Sequence, residues 1–289
     1  SSHWKHYRSL FDIRLDADGS LISLSGTGFG YDKLGRSGQI LDRICVLSHL
    51  VHLPNRLKLL RLCALVSKTC AAMGLDSTFN VFRQVCTAEL LASHFPRAWR
   101  NRPFRVLMIG DGYGVLAALI KASFPNATVV MVDIGETLLF QAYYCQRAHL
   151  TRIHTHVHAY VDGDDVDFLY CPTEDLDLLE PLEFDLAVNI ASMQEMNEAT
   201  VARYFAFLRR RLRPENLFYC CNRESKRLVG GEVSEFLTYP WRDDDRYLVD
   251  ADCPWHQYFF SRGRTENGLR LFGVRIPFFN YYDGKTKHR

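Results

Sequence analysis

An excess of charge of one sign is the first thing this chain lacks: 35 Lys and Arg stand against 33 Asp and Glu, a formal net charge of +2 over 289 residues. Duplex nucleic acid is held by a basic face, so a nucleic-acid partner is not expected. The densest basic run, Arg209, Arg210, Arg211 and Arg213, falls where a helix is predicted to end and cations complement its dipole. No apolar run reaches the roughly 18 residues of a spanning helix, and no secretory leader is recognisable before Trp4. The nine cysteines include no Cys-x-x-Cys pair and are odd in number. Short-spaced zinc motifs and a closed disulfide framework are therefore not expected, and the thiols read as reduced core residues of a cytoplasmic protein. With 47% hydrophobic residues, the core is ample for one large or two small domains.

What is present begins at Val106. Four apolar residues, Val106 to Ile109, run into Gly110, Asp111, Gly112, Tyr113 and Gly114 and then into an apolar helix starting at Val115. Glycines at this spacing let the backbone turn tightly and admit a ligand closer than a Cβ would, with the unpaired N–H groups of a helix start behind it. A dinucleotide-binding turn places its third glycine one residue later, where this chain has Val115, which argues against a nicotinamide oxidoreductase. The shorter Gly-x-Gly-x-Gly spacing is the pattern of S-adenosylmethionine-dependent methyltransferases. A second β-branched strand at 128–132 ends on Asp133, about 20 residues beyond the turn, where a carboxylate accepts hydrogen bonds from a ribose diol. The competing role for Asp133 is to cap the helix that begins near Gly135.

The chain divides by texture. Positions 23–38 are rich in glycine and serine and read as an ordered loop or lid. Helical periodicity follows over 39–52, 55–73 and 77–95, broken by Pro54 and by Gly74-Leu75-Asp76. This sets an amino-terminal loop and helical cap (1–100) before a cofactor-binding domain (101–289). In the second part strands are placed at 105–109, 128–132, 166–171, 184–190, 217–221, 257–261 and 269–277 with helices between them. That alternation predicts an α/β fold with a mostly parallel seven-stranded sheet covered by helices on both faces. Ligands in such sheets lie at the carboxyl ends of the strands, where the order reverses.

Three segments, 106–114, 133–144 and 185–196, together resemble a bacterial family of sugar O-methyltransferases. The resemblance covers about 105–225 and implies the Rossmann-like class I methyltransferase fold, S-adenosyl-L-methionine as donor, and a hydroxyl of a sugar or glycan as acceptor. Another small-molecule acceptor, or a methyltransferase-like scaffold without catalysis, remains open at this stage.

The expected cofactor contacts are Gly110, Asp111, Gly112, Tyr113, Gly114, Asp133 and Ile134. Asn189 and Ser192 are expected at the methionine end, and Glu174 near the adenine amine. Transfer to a hydroxyl calls for a base. Glu195, shortly after the fourth core strand, is the first candidate, although Ser192 and Glu195 also have the spacing of a capping box. His256, set among aromatic residues, is the second. Tyr239 to Asp245 reads as a mobile acceptor loop. His154, His156 and His158 alternate along a strand, but no carboxylate falls among them and no metal site is assigned. The amphipathic cap helices could close over a cofactor or join two copies into a homo-oligomer.

Overall fold

Strands such as Phe104–Ile109 and Ala127–Asp133 are apolar almost throughout, and such runs are stable only when both faces of their sheet are covered. The computed structural model describes residues 12–15, 17, 21–25, 36–52, 56–161, 163–256, 258–260, 268–272, 274–281 and 285–289. Most of the glycine-rich loop expected at 23–38 lies outside the described residues.

A short hairpin, β1 (Asp12–Leu15) and β2 (Leu21–Ser25), precedes three helices, α1 (Arg36–His52), α2 (Arg56–Met73) and α3 (Phe79–His94). The sheet then begins with β3 (Phe104–Ile109), α4 (Val115–Ser123), β4 (Ala127–Asp133), α5 (Gly135–Ala148), β5 (His154–His156) and β6 (Phe168–Pro172). It continues with β7 (Phe184–Ile190), α6 (Glu198–Arg211) and β8 (Leu212–Arg223). A small hairpin, β9 (Ser225–Arg227) and β10 (Val233–Glu235), follows, then β11 (Ala251–Asp252), β12 (Tyr258–Phe260), β13 (Gly268–Leu271), β14 (Val274–Tyr281) and β15 (Thr286–His288).

The main sheet runs β11-β15-β8-β7-β3-β4-β6-β5. Strands β5, β6, β4, β3, β7 and β8 are parallel, whereas β15 is antiparallel to both its neighbours. From β3 the chain builds outward to β4 and to β5 at the edge, inserts β6 between them, and then crosses back to β7 on the other side of β3. The order therefore reverses between β3 and β7, and a crevice opens at their carboxyl ends.

Two of the seven expected strands lie elsewhere. The segments 257–261 and 269–277 contribute instead to a separate three-stranded sheet, β12-β14-β13. The far edge of the main sheet is closed by β11 and β15, and β5 adds an eighth strand at the opposite edge. Pieces of two or three residues carry no readable alternation, so only tertiary pairing reveals them.

Helix α4 explains the cap. Every residue from Val115 to Lys121 is buried, because the helix lies between the sheet and helices α2 and α3. A helix apolar on all sides needs such a second cover. Lys121 is the exception that fits: its ammonium group donates to the carbonyls of Pro125 (2.9 Å) and Ala127 (2.5 Å) and pairs with Asp167. Among the described residues no helix is long and apolar enough to cross a membrane.

The amino-terminal end of the sheet is sealed by aromatic rings. Trp99 is 1% exposed, stacks on Phe104 at 5.2 Å and meets Phe95 in a tilted contact at 4.9 Å between centroids. Replacing it empties the seam between cap and sheet. Trp99→Ala is expected to lower unfolding free energy by about 3–5 kcal/mol, measured as a shift in denaturant midpoint; a change under about 1 kcal/mol would show that the seam is dispensable.

Candidate functional site

The glycine turn takes the form its sequence requires. Gly110, Gly112 and Gly114 have φ of 73°, 57° and 80°, the left-handed region that other residues enter at a cost. A Cβ on Gly110 would overlap the Ser192 side chain, and one on Gly114 would come within 2.8 Å of the Cys145 sulfur. Asp111 folds back over the turn, its Oδ2 accepting the Ala117 N–H at 2.8 Å, so it secures the start of α4. Tyr113 is buried and stacks on Phe140 at 5.4 Å. Its ring packs into the core and is not among the side chains bordering the cavity beside Asp133.

Asp133 stands at the end of β4 beside this turn. Its Oδ1 accepts the Ile134 N–H at 2.8 Å and its Oδ2 accepts Gln141 Nε2 at 2.7 Å. The alternative role as helix cap is not taken up: Ile134 occupies the cap position of α5, and no side-chain hydrogen bond is made there. A cavity of about 350 Å³ opens at this point, bordered by Gly110, Asp133, Ile134, Ser192, Glu195 and Tyr204.

The opposite wall is the turn after β7. Ala191 has a φ of 56°, strained for a residue with a Cβ, and this kink carries Ser192 against Gly110. Glu195 borders the cavity and pairs with Lys226 of β9 at 2.7 Å, both side chains being about 15% exposed. The expected Ser192–Glu195 capping box does not form. Ser192 makes no cap hydrogen bond, and α6 is capped by Asn197, whose side chain accepts the Thr200 N–H. The cap position of the helix falls five residues beyond Ser192, so Asn197 is the residue whose side chain meets the N3 amide.

Asn189, expected at the cofactor's methionine end, is fully buried. Its Nδ2 donates to the Ile109 carbonyl at 2.9 Å, and its Oδ1 accepts from Met193 N at 3.3 Å and Asn222 Nδ2 at 2.8 Å. It holds the wall from behind. Glu174 is exposed, and its neighbour Thr173 borders the cavity in its place. His256 is 5% exposed and lies against Arg83 of the cap, 3.3 Å from its Nη1; it does not border the cavity. The segment 239–245 is no free loop either: Trp241 Nε1 donates to the Phe236 carbonyl at 2.8 Å, and Arg209 grips the Asp245 carboxylate. His154, His156 and His158 each have protein partners, Tyr170, the His158 N–H and Asp175 respectively.

Residues that sequence reading passed over are those of the β9–β10 hairpin. Leu228, Gly230 and Glu232 reach the cavity from a segment with no recognisable motif. Tyr204 of α6, whose hydroxyl donates to Thr173 Oγ1 at 3.2 Å, borders the cavity as well.

The strand order with its antiparallel penultimate strand, the left-handed glycine turn and the acidic residue ending the second strand define the class: a Rossmann-like α/β fold of the class I methyltransferase type. No family model and no curated protein matches this chain. Solved structures match in part. A cyclopropane synthase from Mycobacterium tuberculosis is 16% identical with a TM-score of 0.34, over 48% of this chain and 42% of that one. Phosphoethanolamine N-methyltransferase 2 from Haemonchus contortus, in complex with S-adenosyl-L-methionine, is 20% identical with a TM-score of 0.33, over 46% and 27%. A coclaurine N-methyltransferase bound to N-methylheliamine and SAH is 14% identical with a TM-score of 0.36, over 50% and 37%. This chain matches less than half the length of each of these three, and at such scores the fold is read from its own strand order.

Burial pushes the Asp111 and Asp133 carboxyls up from 3.8 to about 7, against the hydrogen bonds that favour their charged forms. A folded value above the unfolded one means that the native state keeps protons the unfolded chain has released. Between about pH 4 and about pH 7, stability therefore falls as pH rises. Thermal unfolding across this range is expected to show that slope, and Asp133→Asn to flatten it; equal slopes would contradict the assignment.

Proposed function

We propose that this protein is an S-adenosylmethionine-dependent O-methyltransferase acting on a hydroxyl of a sugar or glycan. The observation that carries the cofactor reading is Asp133. Its carboxylate is held by two donors at the end of β4, beside the left-handed glycine turn and facing an open cavity. A ribose diol placed there would donate to it, and the start of α4 would lie alongside. Gly110, Ile134 and Ser192 would border the rest of the cofactor. Bound there, the group supplies an activated methyl for in-line displacement.

The sugar acceptor is supported by the resemblance of the segments 106–114, 133–144 and 185–196. The chemistry required of the protein is alignment and removal of one proton. Aligned reactants save on the order of 7–11 kcal/mol of barrier. Glu195 would take the proton from the acceptor hydroxyl, its carboxylate oriented by the Lys226 ammonium group, which donates to Oε1 at 2.7 Å. His256 is set aside as a base because it lies outside the cavity.

Calorimetric titration with S-adenosylmethionine is expected to show saturable binding that Asp133→Ala weakens at least tenfold, with NAD⁺ as the control. Binding should tighten from about pH 6 to about pH 8, because ionisation of Asp133 creates the acceptor for the diol. Absence of binding by either cofactor would overturn the enzyme reading.

Labelled methyl transfer to a panel of sugars, phenols and amines tests the acceptor. Glu195→Gln is expected to lower kcat by about 10²- to 10⁴-fold while leaving donor affinity unchanged. Transfer to phenols or amines alone would overturn the sugar assignment, and an unchanged kcat would remove Glu195 as base.

A further inference from the structure

Four side chains that the cleft does not use converge behind β8. Cys221 lies near the end of β8, Cys253 just beyond β11, His256 in the turn that follows, and His288 on β15. The sulfurs of Cys221 and Cys253 and a ring nitrogen of His256 lie within 4.8 Å of one another, and all three residues are buried. Among the described residues no other group of three or more ligating side chains meets that spacing. His288 lies near enough to the Cys253 thiol to act on it electrostatically.

Two observations point to a ligand. His256 Nε2 is buried and has no hydrogen-bond partner among the described residues, which is costly if nothing meets it. Nδ1 of His288 is taken by the Tyr219 hydroxyl at 3.1 Å, the arrangement that orients an imidazole whose other nitrogen binds a metal. The His288 ring is further held against Trp255, 5.6 Å between centroids.

We propose that Cys221, Cys253, His256 and His288 bind a structural zinc ion. Two thiolates and two imidazoles are a tetrahedral zinc set. On binding, two S–H bonds are lost, two Zn–S bonds form, and both protons go to solvent. Two negative sulfurs balance the ion, so the centre is neutral and can be buried next to Arg83. Arg83 can only donate, so without metal Nδ1 of His256 accepts from it and Nε2 holds the proton. Ligation through Nε2 moves that proton to Nδ1, and the guanidinium turns toward Asp42, whose charge it already meets.

The ion would join three strands and the cap. Its ligands lie on β8, beyond β11 and on β15, and Trp255, between Cys253 and His256, donates through Nε1 to Thr87 Oγ1 of α3 at 3.2 Å. Cys221 precedes Asn222, whose Oδ1 accepts the Gln194 N–H at 3.0 Å in the cavity wall. A metal here would brace the wall without touching substrate.

The test is the metal content of the full chain, produced with zinc, kept reduced and dialysed, followed by exchange with Co²⁺. About one zinc per chain is expected, with intense tetrahedral Co²⁺ bands and a thiolate-to-cobalt charge-transfer band. Cys253→Ser should abolish both. Should that variant fail to fold, His288→Gln is the second: its zinc affinity in competition with a chelator is expected to fall about tenfold or more. Reduced, folded wild-type protein that retains no zinc and gives no charge-transfer band would overturn the site. A Cys221–Cys253 disulfide found by mass spectrometry in protein purified without reductant, with no zinc retained on reduction, would overturn it equally.

Discussion

The buried amide of Asn189 is the constraint on which the cleft depends. One side chain ties the end of β3, through the Ile109 carbonyl, to the turn after β7, through the Met193 N–H, and to β8, through Asn222. Asn222 in turn holds Gln194, and Gln194 Oε1 accepts the Arg223 N–H at 2.8 Å. In a low-dielectric interior each of these bonds is strong and each broken one leaves an orphan. The kink at Ala191, the approach of Ser192 to Gly110 and the position of Glu195 all follow from that network. The cavity is open because its wall is pulled back and held.

The two sides of the crevice are built on different principles. On the β3–β4 side, backbone conformation dominates: three left-handed glycines and a carboxylate held by its own neighbour's amide. On the β7–β8 side, side-chain amides and the Glu195–Lys226 pair do the positioning. The first kind of construction leaves the local sequence little choice. The second can be met by many residue combinations, and this is why the glycine turn is recognisable in the sequence where the opposite wall is not.

The cap and the sheet share one apolar core because α4 is buried all round. Arg83 and Thr87 of α3 reach across to His256 and Trp255, so the last strands of the sheet and the cap meet at the same place. A bracing centre at Cys221, Cys253, His256 and His288 would sit at that meeting point, one residue from Asn222.

What the sequence determined by itself was local. The apolar strand, the glycine spacing and Asp133 settle that turn because the backbone there permits few residues, and helix periods placed α1, α2 and α3 within a few positions. Tertiary structure decided the rest. It turned Asn189 inward and Tyr113 into the core, replaced Glu174 with Thr173 at the cavity, and removed His256 from the cleft. It also chose 251–252 and 286–288 as edge strands over the longer alternating runs at 257–261 and 269–277. The physical reason is one of range. A turn or a helix is stabilised by neighbours along the chain, whereas a cavity wall, an edge strand or a cluster of thiols and imidazoles spread over 68 positions, from Cys221 to His288, exists only after distant segments have packed.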